Sequence, residues 1–130
     1  DRDCAALRAD PGFQAFMTFA EGRSTLTDTA WVLDAEGFLC LASNPEKMDG
    51  RSRAFREYFA AARDRPGFFV DRAVVGIVTG TPAFNIARRR SGEGFHGVLL
   101  AAVDLPEFVA QWEQTVVTRS SQRVALLRLD

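Results

Sequence analysis

The sequence predicts an α+β domain, an antiparallel sheet of about five strands with helices covering at least one face. Two observations carry this prediction. Apolar residues recur at helical and strand spacings in the order helix, two strands, helix, three strands, helix, strand, without the βαβ alternation of a parallel sheet. The joints between strand-like runs are glycine-rich turns. With 130 residues, 47% of them apolar, the chain suffices for one domain with its own core.

The first helix is announced by "ADPGFQAFMTFA", where Asp10 is placed to cap and Pro11 to occupy the first turn. Phe13, Phe16, Met17 and Ala20 then follow at helical spacing. In "TAWVLDAEGFLCLASN" two apolar runs flank Asp34-Ala35-Glu36-Gly37, a turn in which Gly37 can take positive φ, so the segment reads as a β-hairpin. The loop "NPEKMDG" leads to "SRAFREYFAAARD", a helix with Phe55, Tyr58, Phe59 and Ala62 on one face and Arg53, Glu57 and Asp64 on the other. Arg65-Pro66-Gly67 ends it, because proline disfavours helical conformation in the residue before it.

Three strand-like runs follow, "FFVDRAVVGIV", "AFNIARRR" and "FHGVLLAAVDL", joined at Thr79-Gly80-Thr81-Pro82 and Ser91-Gly92-Glu93-Gly94. Asp104 and Glu107 stand three apart as in a capping box and open a helix with Leu105, Phe108, Val109, Trp112 and Val116 on one face. The final "QRVALLRLD" reads as one more strand.

A formal net charge of −1 gives no global attraction to nucleic acid or to an anionic membrane surface, and no nucleic-acid partner is expected. No run approaches the ~20 apolar residues of a membrane helix. Cys4 and Cys40 are too few for a disulfide framework and stand in no metal-ligand spacing. Buried or free thiols are the expected state, with a single bridge open to them in an oxidising compartment.

Catalytic chemistry finds little support. A hydrolytic triad would have to be built on the lone His96, which sits in a strand, and Cys40 alternates with Leu39 and Leu41 as a small core residue. Asp34 and Glu36 belong to a turn and Asp104 to a cap, and "GIVTGTPAF" lacks the lysine and spacing of a phosphate-binding loop. No catalytic residue, metal site or cofactor is expected.

Two arginine clusters are more informative. In Arg88-Arg89-Arg90 alternate strand residues face opposite sides, so the three cannot form one surface, and Arg88 is the member expected to turn toward a pocket. Arg56 stands beside an aromatic stripe, where a guanidinium either snorkels to a local acid or offers its planar fork to a carboxylate or phosphate.

Residues 55–112 resemble the Cache family of extracytoplasmic sensor domains, also called PDC or PAS-like sensors. The carriers are Arg56-Glu57-Tyr58-Phe59, Thr79-Gly80, and Gly94-Phe95-His96-Gly97-Val98 running into Ala102-Val103-Asp104-Leu105. The hairpin "WVLDAEGFLCLAS" is similar to the family's opening strands. The resemblance implies a PAS-like sheet behind a long N-terminal helix, divided into an N-terminal helical segment (1–24), a sensor domain (25–117) and a C-terminal strand (118–130) that would begin a membrane-proximal lobe. It also implies a periplasmic position in a membrane-anchored histidine kinase, diguanylate cyclase or chemoreceptor, and a homodimer through the N-terminal helix at residues 10–20 is the partner expected of a spacer module.

Amino-acid-binding members of the family carry an Arg-x-Trp-Tyr motif, an upstream tyrosine and acids that hold the ammonium group. Arg56 matches the arginine, Tyr58 and Phe59 replace tryptophan and tyrosine, Arg51 replaces the upstream tyrosine, and the acids align with Gly76 and Ala102. The implied ligand is therefore a carboxylate or other anion held by Arg56, Tyr58, Phe59, Asn85 and Arg88. The competing reading is a structural spacer whose pocket is filled by Phe84 and Ile86.

Overall fold

The computed structural model describes residues 3–23, 27–77, 79–115 and 127. Two short helices precede the sheet, α1 (Cys4–Arg8) and α2 (Pro11–Gly22). Pro11 disfavours a helical Asp10, which is extended at φ −97° and ψ 98°, and the Asp10 carboxylate accepts the backbone N–H groups of Gly12 and Phe13. The long N-terminal helix implied by resemblance is thus two pieces. Within α2, Met17 is buried and Phe13 half-buried, whereas Phe16 and Phe19 are 60% and 62% exposed.

The expected hairpin forms from β1 (Thr27–Leu33) and β2 (Leu39–Ala42). Asp34 Oδ1 accepts the N–H groups of Glu36 and Phe38, and Gly37 takes φ 85°. Glycine is required there twice over, since a Cβ would also lie 2.6 Å from the Ala54 amide nitrogen. The turn is tied to the chain entering the next helix by Arg53 N–H donating to Gly37 O at 2.7 Å.

That helix, α3 (Glu57–Asp64), begins later than the aromatic spacing suggested, with Arg56 extended at its N-cap, and it ends where Pro66 requires. Phe55, assigned to the buried face, lies outside the helix and is 71% exposed. The run over residues 68–78 divides into β3 (Phe68–Val70) and β4 (Val74–Val75), because Asp71 turns inward to hydrogen-bond Asn85. β5 (Pro82–Arg89), β6 (Val98–Asp104) and α4 (Leu105–Thr115) complete the described elements. Asp104 Oδ1 accepts the Glu107 N–H at 2.8 Å, as the cap spacing predicted. Val109 is exposed, and Val116 lies outside the described residues, as does the strand expected at 122–130.

The sheet runs β2-β1-β6-β5-β3, each pair antiparallel, with β4 also pairing β5. Among the described residues it is therefore five positions wide although six strands compose it. Period-2 alternation gives it two distinct faces. One carries Trp31, Ala87, Val98, Leu100 and Ala102 against Tyr58, Phe59 and Ala62 of α3. The other packs Val32 and Cys40 against Leu7 and Met17 of α1 and α2, and sets Phe84 edge-on to Phe108 of α4 at 5.5 Å.

Cys4 and Cys40 form a disulfide, with Cα atoms 5.0 Å apart, which overturns the expectation of free thiols. The cause is the docking of α1 across β2: Arg8 donates from Nε to Cys40 O and from Nη2 to Leu39 O, each at 2.8 Å.

Candidate functional site

A cavity of about 50 Å³ opens between α3 and its face of the sheet. Since about 10–15 Å³ on this measure accommodates one water, the space suits a molecule of a few heavy atoms. Trp31 of β1, Leu100 and Ala102 of β6, and Ala83 and Asn85 of β5 form its floor. Arg53, Arg56 and Tyr58 cover it, and Val74, Gly76, Ile77 and Thr79 supply a side wall. The floor follows from register, because Trp31 pairs with Leu100 and Asn85 with Ala102, bringing same-face side chains from three strands together.

Arg56 is half-buried at the start of α3, its guanidinium 5.2 Å from the centre of the Phe55 ring. Among the described residues it makes no ion pair. Tyr58, buried beneath it, has its phenol pushed above the ordinary value of 10.0, chiefly by burial and against the opposing pull of Arg53 and Arg56. The hydroxyl stays neutral at physiological pH and is available as donor or acceptor.

Asn85 is held from behind. Its backbone N–H and its Nδ2 donate to the two carboxylate oxygens of Asp71, the latter at 2.8 Å, and Asp71 N–H donates to Asn85 O at 3.0 Å. Burial pushes the Asp71 carboxyl up, the Asn85 hydrogen bonds pull it down, Glu57 pushes it up and Arg56 pulls it down. With one Nδ2 hydrogen on Asp71, the amide keeps a second N–H donor and its Oδ1 acceptor.

The expected site residues divide. Arg56, Tyr58 and Asn85 line the cleft. Phe59 does not: one residue along the helix from Tyr58 it turns into the core, where its ring meets Phe95 edge-on at 5.3 Å. Arg88 does not either, since Ala83, Asn85 and Ala87 occupy the cleft side of β5 and Arg88 is directed to the opposite face, over Phe68 at 5.4 Å. The buried member of the triple arginine run is Arg90, which donates to His96 O at 3.0 Å and Leu33 O at 3.4 Å away from the cleft. His96 is exposed, with its ring on Glu93 O.

Three polar residues at the site escaped the sequence reading. Arg53, assigned to the solvated side, is buried in the cleft wall and grips both oxygens of Asp49 at 2.8 Å. The helical register that placed it outside does not apply, because residues 51–53 are not helical. Trp31 was read only as a strand residue, although a buried indole needs a partner for its N–H and that need is a visible signal. Asp71 was hidden by reading residues 68–78 as one strand.

Cys4, Asp34 and Cys40 bring ligand-type atoms within 4.8 Å of one another, but both sulfurs are bound in the disulfide. Among the described residues no helix is long and apolar enough to cross a membrane.

The chain matches no family model and has no significant match among curated proteins. Solved structures do match. The extracellular domain of rpHK1S-Z16, a protein put forward as a histidine kinase, superposes with a TM-score of 0.71 at 20% identity, over 88% of this chain and 50% of that one. The sensor domain of the Vibrio cholerae histidine kinase DctB gives 0.66 at 16% identity, over 78% and 40%. The ligand-binding domain of the Pseudomonas fluorescens chemoreceptor CtaA, in complex with L-serine, gives 0.66 at 16% identity, over 92% and 51%. This chain spans about half, or less, of the length of those chains. It has the α+β, PAS-like fold of Cache-type extracellular sensor domains.

Proposed function

We propose that this chain is the ligand-sensing region of a membrane-anchored bacterial signalling protein, positioned outside the cytoplasmic membrane, and that it binds a small anionic metabolite without transforming it. The observation that carries this reading is Arg56, which lines the cleft and makes no ion pair among the described residues. A cation partly withdrawn from water favours an anion of complementary geometry. The disulfide fits an oxidising compartment. The three matched structures are, by name, an extracellular domain, a sensor domain and a ligand-binding domain in complex with L-serine. Arg56, Tyr58 and Asn85 hold the ligand, within a sensor unit over residues 25–117 that follows the helical segment 1–24; the segment 118–130 falls almost wholly outside the described residues.

The alternative of a spacer with a filled pocket loses its main support, because Phe84 and Ile86 lie on the sheet face opposite the cleft. Thermal unfolding with small carboxylates, amino acids, amines and purines tests the proposal. A ligand at a hundred times its dissociation constant stabilises by about 2.7 kcal/mol. One carboxylate is expected to do so in the wild type and to lose the effect in Arg56→Ala, whereas equal affinity in both proteins would remove Arg56 from the site.

A further inference from the structure

Trp31 provides a second, independent observation at the same cleft. The residue is 9% exposed, and among the described residues its Nε1 is the buried side-chain nitrogen or oxygen without a hydrogen-bond partner. A buried indole N–H ordinarily finds an acceptor, and leaving one orphaned is costly. Here the residue lines the same cleft as Arg56.

The other polar groups around the cleft limit what can occupy it. Arg53 is paired with Asp49, and one hydrogen of the Asn85 Nδ2 is held by Asp71. Both Asp71 oxygens are engaged in turn by Asn85. Among the described residues the cavity lining contains no aspartate or glutamate. An ammonium group would enter without a counter-charge, whereas the neutral acceptor Asn85 Oδ1 suits a hydroxyl.

Building on the proposed sensor function, we infer that the Trp31 indole N–H is a ligand contact, donating together with Arg56 to a short monocarboxylate that carries a hydroxyl or hydrogen where an amino acid carries its ammonium group. Trp31 then determines specificity by demanding an acceptor, and a lining with arginines but, among the described residues, no carboxylate rejects zwitterions.

The series propionate, lactate and alanine tests this, because its members differ only in the substituent on the second carbon, a hydrogen, a hydroxyl or an ammonium group. In proton–nitrogen correlation spectra of the labelled chain the two tryptophans, Trp31 and Trp112, give two indole signals, assigned with Trp112→Phe. Propionate or lactate is expected to move the Trp31 indole proton downfield and leave Trp112, which packs on Phe108, unmoved. Alanine is expected to bind at least tenfold more weakly, and Trp31→Phe to weaken carboxylate binding at least fivefold. Carboxylate binding that disappears in Arg56→Ala, yet leaves the Trp31 signal and the Trp31→Phe affinity unchanged, would refute the role of Trp31 and leave the sensor reading standing. Alanine binding as tightly as lactate would refute the ligand class. Failure of every carboxylate to bind the wild type would overturn the anion site and this inference with it.

Discussion

Arg53 and Arg56 are three residues apart and carry the same charge, yet their surroundings give them different tasks. Arg53 is enclosed and paired with Asp49, a carboxyl held below its ordinary 3.8 chiefly by the Arg53 hydrogen bond. A depressed carboxyl contributes stability that is complete above its unfolded value and is lost as pH falls through the folded one. Arg53→Met is expected to cost roughly 2 kcal/mol at neutral pH, less than for a fully enclosed pair because Asp49 keeps some contact with water. The difference between wild type and variant should shrink from pH 6 to pH 3 in denaturant titrations. An unchanged difference would mean that the ion pair contributes nothing to the acid limb. Arg56, by contrast, has its guanidinium left for a ligand, so its replacement should alter binding far more than stability.

Among the elements, α1 is the one most dependent on a single link. It is five residues long, well below the length at which a helix is stable alone, and it is held on β2 by the Cys4–Cys40 bridge and the two Arg8 hydrogen bonds. Closing a loop with a sequence separation of 36 is worth about 4 kcal/mol by the chain-entropy estimate. The Cys4→Ser, Cys40→Ser double variant should therefore lose stability of that order by chemical denaturation, with amide exchange rising first in α1 and β2. Exchange that stayed slow in α1 would show that Arg8 and Leu7 hold it unaided. The helix and turn signals were legible beforehand because capping and proline sterics act within a few residues: Asp10, Gly37, Pro66 and Asp104 each do what their neighbours predicted. The division at Asp71 was not, because an aspartate inside a strand-like run turns inward only when a partner such as Asn85 stands across from it.

Across the whole molecule the sheet separates two functions. One face and α3 enclose the cleft, while α1, α2 and α4 pack on the other. Truncation on the far face should then destabilise without touching recognition. Phe84→Ala removes a half-buried ring set edge-on to Phe108 and is expected to cost about 2 kcal/mol while leaving ligand affinity within twofold. A large loss of affinity would show that α4 is coupled to the cleft through β5.

The sequence by itself determined the α+β class, the hairpin, the helix caps at Asp10 and Asp104 and the candidacy of Arg56, all of which rest on spacing and on chemistry between near neighbours. Only the tertiary structure decided which side chains share the cleft. Trp31, Arg53, Arg56, Asn85 and Ala102 come together because β1, β6 and β5 are adjacent in that order and α3 crosses one face of them. The same dependence explains Arg88 and Phe59, which have the right chemistry but face away, and Cys4 and Cys40, whose union needed α1 to lie on β2. Local rules specify periodicity, whereas facing and register are set by strand pairing and packing between distant segments, where a displacement of one residue reverses the side of the sheet.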